Sequence, residues 1–377
     1  MTGAVAAWIA LAAWGWLLAF RGRFWMIEDV VASPEPAQWP AVVALIPARD
    51  ESLVIGTAVS SLLAQNYPGA LDIIVVDDQS TDGTTEVARV AARSLGAEER
   101  LSVISGTAPP PEWTGKLWAL SQGVAEAMRA HPESALLLLT DADIAHAPHE
   151  LRRMVARLID QRLDLASLMV RLATNNLAER AVVPAFVYFF RLLYPFGWVN
   201  DADQTVAAAA GGYMLLRREA LMGIGGLATI KGALIDDCAL ASAIKARGGR
   251  IRLDLAADTV SLRPYGWDTL WRMIARSAYT QLRHSPVLLA GTVIGLSLGF
   301  LAPPLLALHA GPGATPALLA WVLMALSYLP MLSFYRLSPL WAPLLPLVAL
   351  FYLGATVDSA RRHWQGRGGE WKGRVQA

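Results

Sequence analysis

The sequence predicts an α/β fold, a doubly wound and mostly parallel β-sheet, joined to transmembrane helices. Two observations predict the sheet: short apolar runs alternate with helix-like segments, and a pair of aspartates follows each of two such runs directly. A third observation predicts the membrane helices, because 55% of the chain is hydrophobic and residues 287–357 contain one charged residue, Arg336. A bilayer crossing needs about 20 apolar residues, so two or three spans fit into this stretch.

The amino-terminal stretch 4–20 is apolar and uncharged, and Arg21 and Arg23 follow it at once. A signal peptide carries its basic residues before the apolar run, so we expect residues 1–23 to form a retained anchor with a cytoplasmic carboxyl flank. A proline-rich linker follows, and a domain on the cytoplasmic side is expected at 40–262.

Within this domain the elements alternate. Pro47 is expected to stop the first strand, because proline cannot donate to a β-ladder. The alternation favours a doubly wound parallel sheet. The predicted strands are 42–46, 73–76, 101–104 and 136–140, and the predicted helices are 57–65, 84–95, 117–129 and 150–160.

The carboxyl-terminal third is expected to meet lipid. Trp267 and Trp271 recur at helical spacing with arginines on another side, which predicts an amphipathic interfacial helix at 263–286. Transmembrane helices are expected at 287–358 and a basic tail at 359–377.

Two points stay open. The apolar segment 179–199 is either a buried core helix or a segment in the membrane interface. Three spans would place the basic tail outside the cytoplasm, against the usual positive bias, so a stretch near Pro303-Pro304 or at 339–346 could be re-entrant.

Composition excludes several classes of protein. The net charge of +1, with no basic stripe, argues against nucleic acid as a partner. The single cysteine, Cys238, excludes an intramolecular disulfide and a cysteine metal cluster. No Gly-x-Gly-x-x-Gly opens a helix after the first strand, which argues against a dinucleotide oxidoreductase. The sequence does not predict an oligomeric state.

The acidic pairs predict the chemistry. Asp77 and Asp78 follow the strand at 73–76, and Asp141 and Asp143 follow the strand at 136–140. The carboxyl ends of parallel strands are where α/β proteins build their sites. On an extended chain Asp141 and Asp143 project to the same side and could serve one divalent cation. The pattern predicts that a phosphate group is handled through a metal.

Six motifs in order resemble the inverting glycosyltransferases of family 2. The resemblance covers about 42–286 and is strongest to the membrane-bound branch, with ceramide glucosyltransferases and, most closely, bacterial hopanoid (hopene)-associated glycosyltransferases. The motifs are Ile46-Pro-Ala-Arg-Asp-Glu, Val75-Val-Asp-Asp-Gln-Ser-Thr-Asp-Gly-Thr, Trp113-Thr-Gly-Lys-Leu-Trp-Ala-Leu, Asp141-Ala-Asp, Gly211-Gly-Tyr-Met-Leu-Leu-Arg-Arg-Glu-Ala-Leu and Ile235-Asp-Asp.

The resemblance implies a GT-A-like catalytic domain on the cytoplasmic face of a bacterial inner membrane, in a multi-pass protein. It implies a nucleotide-sugar donor, a lipid acceptor related to hopanoids, and bound Mg²⁺ or Mn²⁺. Asp143, with Asp141, would hold the metal, and Asp237 would be the general base, supported by Asp236. The nucleotide and its diphosphate would meet Pro47, Arg49, Glu51, Asp77, Asp78, Lys116 and Asp141.

Each acidic motif also has a plain structural interpretation. Asp and Ser after a strand often bond their own backbone, and we favour this turn chemistry for Asp82-Gly83. Asp236 and Asp237 precede a predicted helix at 238–247, where an aspartate can act as an N-cap. Both roles can hold for that pair.

The chain departs from the family at one place. Processive members carry Gln/Arg-x-x-Arg-Trp on an interfacial helix, but here no Trp follows Arg276. This favours transfer of one sugar per encounter to a lipid, with Arg272 and Arg276 facing either the diphosphate or lipid headgroups. The alternatives are a processive polysaccharide synthase or exporter, and a catalytically inactive nucleotide-binding regulator in the membrane.

Overall fold

The computed structural model describes residues 2–28, 31–309 and 311–368. These residues divide into two compact units. The sheet unit comprises residues 31–173 and 198–263. The helical unit comprises residues 2–28, 174–197, 264–309 and 311–368. Neither unit is continuous in sequence, because residues 174–197 interrupt the sheet unit.

The sheet unit contains one eight-stranded sheet in the order β3-β2-β1-β4-β7-β6-β8-β5. Strands β1 to β4 run parallel to one another, β7 is antiparallel to both of its neighbours, β6 and β8 are parallel, and β5 is antiparallel to β8. The sheet is therefore mixed but mostly parallel. The strands are β1 (Val42–Ala48), β2 (Leu71–Asp77), β3 (Leu101–Ser105), β4 (Leu136–Leu139), β5 (Ile144–Ala145), β6 (Leu165–Arg171), β7 (Met214–Arg217) and β8 (Ile251–Ser261).

Fourteen α-helices lie in the described residues. They are α1 (Thr2–Phe20), α2 (Ile55–Leu63), α3 (Thr84–Ser94), α4 (Gly115–Ala130), α5 (Glu150–Asp160), α6 (Leu177–Leu193), α7 (Phe196–Val199), α8 (Arg218–Gly223), α9 (Asp236–Ala246), α10 (Trp267–Gln281), α11 (Pro286–Leu296), α12 (Ala302–Leu308), α13 (Ala314–Phe334) and α14 (Leu345–Trp364).

The predicted alternation of strand and helix over the first half of the sheet unit is confirmed. Every residue of β1 and β4 is buried, which explains why these strands are uninterrupted apolar runs rather than alternating ones. The core of the unit packs β1, β2, β4 and β6 against residues of α2, α3 and α5. Helices α2 to α5 begin and end within a few residues of their predicted limits.

One predicted boundary is wrong. Pro47 does not stop the first strand but lies inside β1, opposite Val76 of β2. The backbone carbonyl of Leu45 accepts from the N–H of Thr140, so the backbone polar groups of residues 45 and 47 point towards β4. The pairing of β1 with β4 runs from Val42 to Leu45 and ends there. The missing N–H of proline therefore faces a position beyond the end of the ladder, where it costs no strand hydrogen bond.

Four helices of the helical unit are long and apolar enough to cross a membrane, judged by length and composition. One is at the amino terminus and three follow α10. Helix α11 continues into α12, which contains Pro303-Pro304, through a π-helical turn at Ser297–Leu301. The segment Pro286–Leu308 is therefore one continuous helical span. The four candidate spans are Gly3–Phe20, Pro286–Leu308, Ala314–Phe334 and Pro339–Trp364.

Helix α6 packs against other helices of the helical unit through its aromatic side chains. Tyr188 is 1% exposed, and its hydroxyl lies 2.7 Å from the hydroxyl of Ser327 on α13. Phe189 packs against Phe300 and against Tyr352 of α14. These contacts favour the core-helix interpretation for α6.

Helix α10 packs along α14. The indole N–H of Trp271 donates to Asp358 at 2.8 Å, and the ring of Trp271 lies against Gly354, where any Cβ would be 2.7 Å from Cη2. Trp267, in contrast, is 48% exposed. Of the basic residues predicted for the tail, Arg361 and Arg362 are in α14 and Arg367 follows it, while Lys372 and Arg374 lie outside the described residues.

Candidate active site

The candidate site lies at the carboxyl ends of β1, β2 and β4. These strands are neighbours in the sheet, and the register pairs Ala48 at the end of β1 with Asp77 at the end of β2. Residues that directly follow the strands are therefore brought to one edge, as the parallel arrangement requires.

At this edge the partly buried Arg49 pairs with the buried Asp78. The Arg49 Nη1 donates to the backbone carbonyl of Asp78 at 2.7 Å and lies 3.6 Å from the Asp78 carboxylate. Asp78 is 2% exposed, so its charge is compensated by the guanidinium rather than by water.

Asp77 and Asp82 organise the turn between β2 and α3. The carboxylate of Asp77 accepts from the N–H of Ser80 and from the hydroxyl of Thr85. Asp82 accepts from the N–H of Ser52 and of Thr84, and Gly83 has a φ of 88°, a left-handed conformation that suits glycine. The turn chemistry predicted for Asp82-Gly83 is confirmed.

Lys116 brings three of the sequence motifs together. It lies in the first turn of α4, which Thr114 caps by accepting from the N–H of Leu117. Its ammonium Nζ is 2.9 Å from Oδ1 of Asp141 and 3.2 Å from Oδ2 of Asp236. Burial alone would lower the pKa of Lys116, but Asp141 and Asp236 outweigh burial and raise this pKa above its usual value. The lysine is therefore a permanent cation between two acidic motifs.

Gly211 marks the centre of this arrangement. A Cβ at Gly211 would lie 3.1 Å from Lys116 Nζ, 3.6 Å from Asp237 Oδ2 and 3.8 Å from Asp141 Oδ2. Asp141 and Asp237 consequently border the same small space, although they are 96 positions apart in the sequence (237 − 141).

Asp237 is fixed at both carboxylate oxygens. Oδ1 accepts from the N–H of Cys238 at 2.7 Å, and Oδ2 accepts from the N–H of Gly211 at 2.9 Å. The residue that precedes α9 is Ile235, so Asp236 and Asp237 occupy the first helical turn instead of the N-cap position. Withdrawal from water and the neighbouring Asp236 carboxylate raise the pKa of Asp237 to about 6. A carboxylate with such a pKa is ionised at neutral pH yet basic enough to accept a proton.

Asp143 is held by the end of β8. Its Oδ2 accepts from Ser261 Oγ at 3.2 Å and from Arg263 Nε at 2.9 Å, and its backbone carbonyl accepts from the N–H of Leu262. The other end of Arg263, Nη2, donates to Oε1 of Glu51 at 2.8 Å. Arg263 thus links Glu51 to Asp143.

The geometry of the Asp141-Ala-Asp143 motif differs from the extended chain we expected. The backbone turns at Ala142 and Asp143 before β5 begins. The two carboxylates therefore meet different cations, Asp141 the ammonium of Lys116 and Asp143 the guanidinium of Arg263.

The chemistry of these donors fits a divalent cation that shares its coordination with a substrate. Among the residues that the structure describes, no group of three or more His, Cys, Asp or Glu side chains could hold a metal by itself. Asp141 and Asp143 supply two carboxylates, and Mg²⁺ typically takes one or two carboxylates together with substrate phosphates and water. The residues present fit a cation that arrives with a diphosphate.

Sequence reasoning missed Ser261 and Arg263 and did not assign them a role. The only signal was weak: Ser261 ends β8 and Arg263 follows it two residues later, but the strand itself is not a continuous apolar run. Arg272 and Arg276 were expected near the diphosphate or the lipid. They are exposed on α10 of the helical unit, whereas every contact described above lies within the sheet unit.

This mixed sheet, with acidic side chains at the carboxyl edge of its parallel strands, defines the class of protein: it is the GT-A-like glycosyltransferase fold. The model of the family described as glycosyltransferase like family 2 matches residues 40–280, and the chain belongs to that family.

Two curated relatives illustrate the family. The chain is 26% identical over 244 residues to the probable glycosyltransferase YdaM of Bacillus subtilis, covering 63% of this chain and 54% of the relative. It is 28% identical over 230 residues to 4,4'-diaponeurosporenoate glycosyltransferase of Staphylococcus aureus, covering 60% of this chain and 56% of the relative. The chain therefore spans about half the length of the curated relatives it matches.

A solved structure extends the similarity over nearly the whole chain. It is a mannosyltransferase from Pyrobaculum calidifontis in complex with GDP-Man and Mn²⁺, with a TM-score of 0.57 and 20% sequence identity. The match covers 94% of this chain and 98% of that chain. At this identity the similarity shows the fold.

Proposed function

We propose that the protein is a membrane-bound inverting glycosyltransferase that transfers one sugar from a nucleotide-sugar donor to a lipid acceptor. Asp237 is the general base, and a divalent cation assists the departure of the nucleotide diphosphate. Family membership supports the reaction class, and the site supports the assignment of roles.

The observation that carries this proposal is the common space around Gly211. A diphosphate carries several negative charges and needs a cationic partner, while an attacking hydroxyl needs a base. Lys116 lies 2.9 Å from Asp141, and Asp237 borders the same space. A regulator that only bound a nucleotide would have no use for a fixed carboxylate with a raised pKa at this place.

The site residues have two kinds of role: most would bind the departing nucleotide diphosphate, and Asp237 would activate the attacking hydroxyl. Arg49 and Asp78, with Pro47, Glu51 and Asp77, would form the edge where the nucleotide binds, since they lie at or directly after the carboxyl ends of β1 and β2. Lys116 would offset the charge that grows on the departing diphosphate. A cation held by Asp141 and Asp143 supplies further positive charge at the same place when bound.

Asp237 would take the proton from the acceptor hydroxyl. Both of its oxygens already accept one backbone hydrogen bond, which fixes the plane of the carboxylate. Each oxygen keeps a second lone pair that can accept the acceptor hydroxyl. Such a fixed base favours attack from one direction, as inverting transfer requires.

The apolar helices of the helical unit are the evidence for a membrane location and for an apolar acceptor. Four of its helices are apolar enough to cross a bilayer, and they leave large side chains such as Trp8, Leu305 and Leu347 more than half exposed. Large exposed apolar side chains of this kind suit lipid. The resemblance of the sequence motifs adds hopanoids as the lipid class to test first, and the Staphylococcus relative adds 4,4'-diaponeurosporenoate.

Purified, detergent-held protein should be given radiolabelled nucleotide sugars, GDP-mannose among them, together with native membrane lipid and Mn²⁺. We expect organic-extractable label with one donor, and we expect chelator to abolish it. The matched control is Asp237→Asn, which should bind the donor and form little labelled lipid.

Other outcomes of this experiment would favour the alternative functions or reject the role of the cation. Polymeric label would favour the processive synthase. Binding of a donor with no transfer to any lipid, in the native protein as in Asp237→Asn, would favour the inactive regulator. Full activity in excess chelator would reject the role of the cation.

A further inference from the structure

Arg263 holds two carboxylates of the candidate site at once. Its Nε lies 2.9 Å from Oδ2 of Asp143, and its Nη2 lies 2.8 Å from Oε1 of Glu51. Asp143 is the residue to which the proposed function gives the cation. A guanidinium therefore occupies one oxygen of the carboxylate that a metal ion is expected to need.

The contacts of Asp143 leave little room on that oxygen. Oδ2 accepts from Ser261 Oγ as well as from Arg263 Nε. A carboxylate has about four lone-pair sites on its two oxygens, so two donors fill those of Oδ2. A divalent cation bound to the same oxygen would also be repelled by the guanidinium a few ångströms away.

Arg263 and its two carboxylate partners differ in exposure. The Arg263 side chain is 41% exposed, whereas the side chains of Asp143 and Glu51 are 10% and 13% exposed. The arginine is thus the member of the pair that can move into water, and its ion pair with a carboxylate is weak at such exposure. Glu51 gives it a second anchor, so Nε can leave Asp143 while Nη2 keeps its partner.

We propose that Arg263 is a positioning residue that competes with the divalent cation for Asp143. In the absence of donor, Arg263 keeps the carboxylate paired. When the cation arrives with the diphosphate, Arg263 gives up Asp143 and stays on Glu51. This inference rests on the proposed function, which takes Asp143 as a cation ligand.

The test is Mn²⁺ binding to the full chain in detergent without donor, measured from the electron paramagnetic resonance signal of free Mn²⁺. We expect Arg263→Gln to lower the Mn²⁺ dissociation constant about two- to five-fold, the range that loss of a partly exposed ion pair gives. Arg129→Gln is the matched control, because it removes the same charge from a surface pair with Glu126 on one helix. This control should leave the dissociation constant unchanged.

Arg263→Lys tests the geometry. A lysine keeps the charge, but its single ammonium cannot bridge Asp143 and Glu51 as the guanidinium fork does. We expect a smaller fall in the dissociation constant than with glutamine. If Arg263→Gln does not fold, as judged by its melting temperature, the lysine variant carries the test with the same expected direction.

An unchanged or weaker affinity in the variants of Arg263 would overturn the inference. Asp143→Asn separates this failure from that of the proposed function. If Asp143→Asn loses Mn²⁺ while the variants of Arg263 gain nothing, only the competition is rejected. If Asp143→Asn binds Mn²⁺ as the native protein does, the cation does not use Asp143, and both the metal assignment and the competition are rejected.

Discussion

The backbone N–H of Gly211 donates a hydrogen bond to Oδ2 of Asp237 at 2.9 Å. This bond ties the loop before β7 to the first turn of α9, and it places the carboxylate beside Lys116 and Asp141. The orientation of the proposed base thus depends on a residue without a side chain.

Replacing Asp237 with Asn should lower the rate of sugar transfer by about 10²- to 10⁴-fold, because an amide cannot take the proton from the acceptor hydroxyl. Donor affinity should change little. An amide accepts at only one end, so either Gly211 or Cys238 loses its acceptor, and the melting temperature should be measured alongside. Transfer at the native rate would show that Asp237 is not the base.

Gly211→Ala should reduce transfer by up to about 10²-fold, since a methyl group 3.1 Å from Lys116 Nζ must displace the ammonium beside Asp141 and fill part of the space that the diphosphate would use. Gly223→Ala is the matched control, because a Cβ there meets nothing within 4 Å. Steady-state rates of both variants with the same donor and acceptor test this. Equal rates would mean that the space at Gly211 is not used.

The transfer rate should fall as the pH drops below about 6, the value to which the pKa of Asp237 is raised. The sign follows from the role: protonation removes the base, so activity is present above this pKa and lost below it. A pH profile of the rate, with donor binding measured over the same range, tests the prediction. A rate that stays constant down to pH 5 would contradict it.

Lys116→Gln should move this acidic limb to higher pH. Lys116 acts to lower the pKa of Asp237, so its loss leaves burial and Asp236 opposed only by the backbone hydrogen bonds from Cys238 and Gly211, and the base is protonated at higher pH. The variant should also transfer more slowly at every pH, because the diphosphate loses a cation. The same pH profile shows both effects, and an unshifted limb would indicate that Lys116 does not influence the base.

Gly354→Ala should destabilise the helical unit by about 1–3 kcal/mol, as overpacking usually does. The new Cβ would lie 2.7 Å from the ring of Trp271, and the hydrogen bond from Trp271 to Asp358 hinders the ring from moving away. Gly291→Ala, where a Cβ would meet open space, is the control. Melting temperatures in detergent should separate the two variants, and equal values would contradict the tight contact of α10 and α14.

The first half of the sheet could be predicted from sequence because β1, β4 and most of β2 are buried on both faces. A run such as Leu136–Leu139 has no polar residue, and the aspartates after it mark the end of the strand. The local sequence pattern was therefore enough to predict both these strands and the acidic side chains of the site. The boundary at Pro47 could not be predicted, because it depends on how far the neighbouring strand β4 extends.

The partners within the site could not be predicted, because they are distant in the sequence. Arg263 and Asp143 are 120 positions apart, as are Lys116 and Asp236 (236 − 116). Nothing near Arg263 indicates which carboxylate it will meet. The antiparallel place of β7 between β4 and β6 is likewise set by long-range pairing, which the local pattern does not encode.

The interruption of the sheet unit by residues 174–197 matters for anyone who wants a water-soluble fragment. A shortened chain that ended at residue 263 would keep α6 but lose α13 and α14, the helices that contact Tyr188 and Phe189. Those rings would then face water and promote aggregation. A soluble fragment should therefore lack the carboxyl-terminal third and also have a short polar linker in place of residues 174–197. We expect such a fragment to remain monomeric in solution.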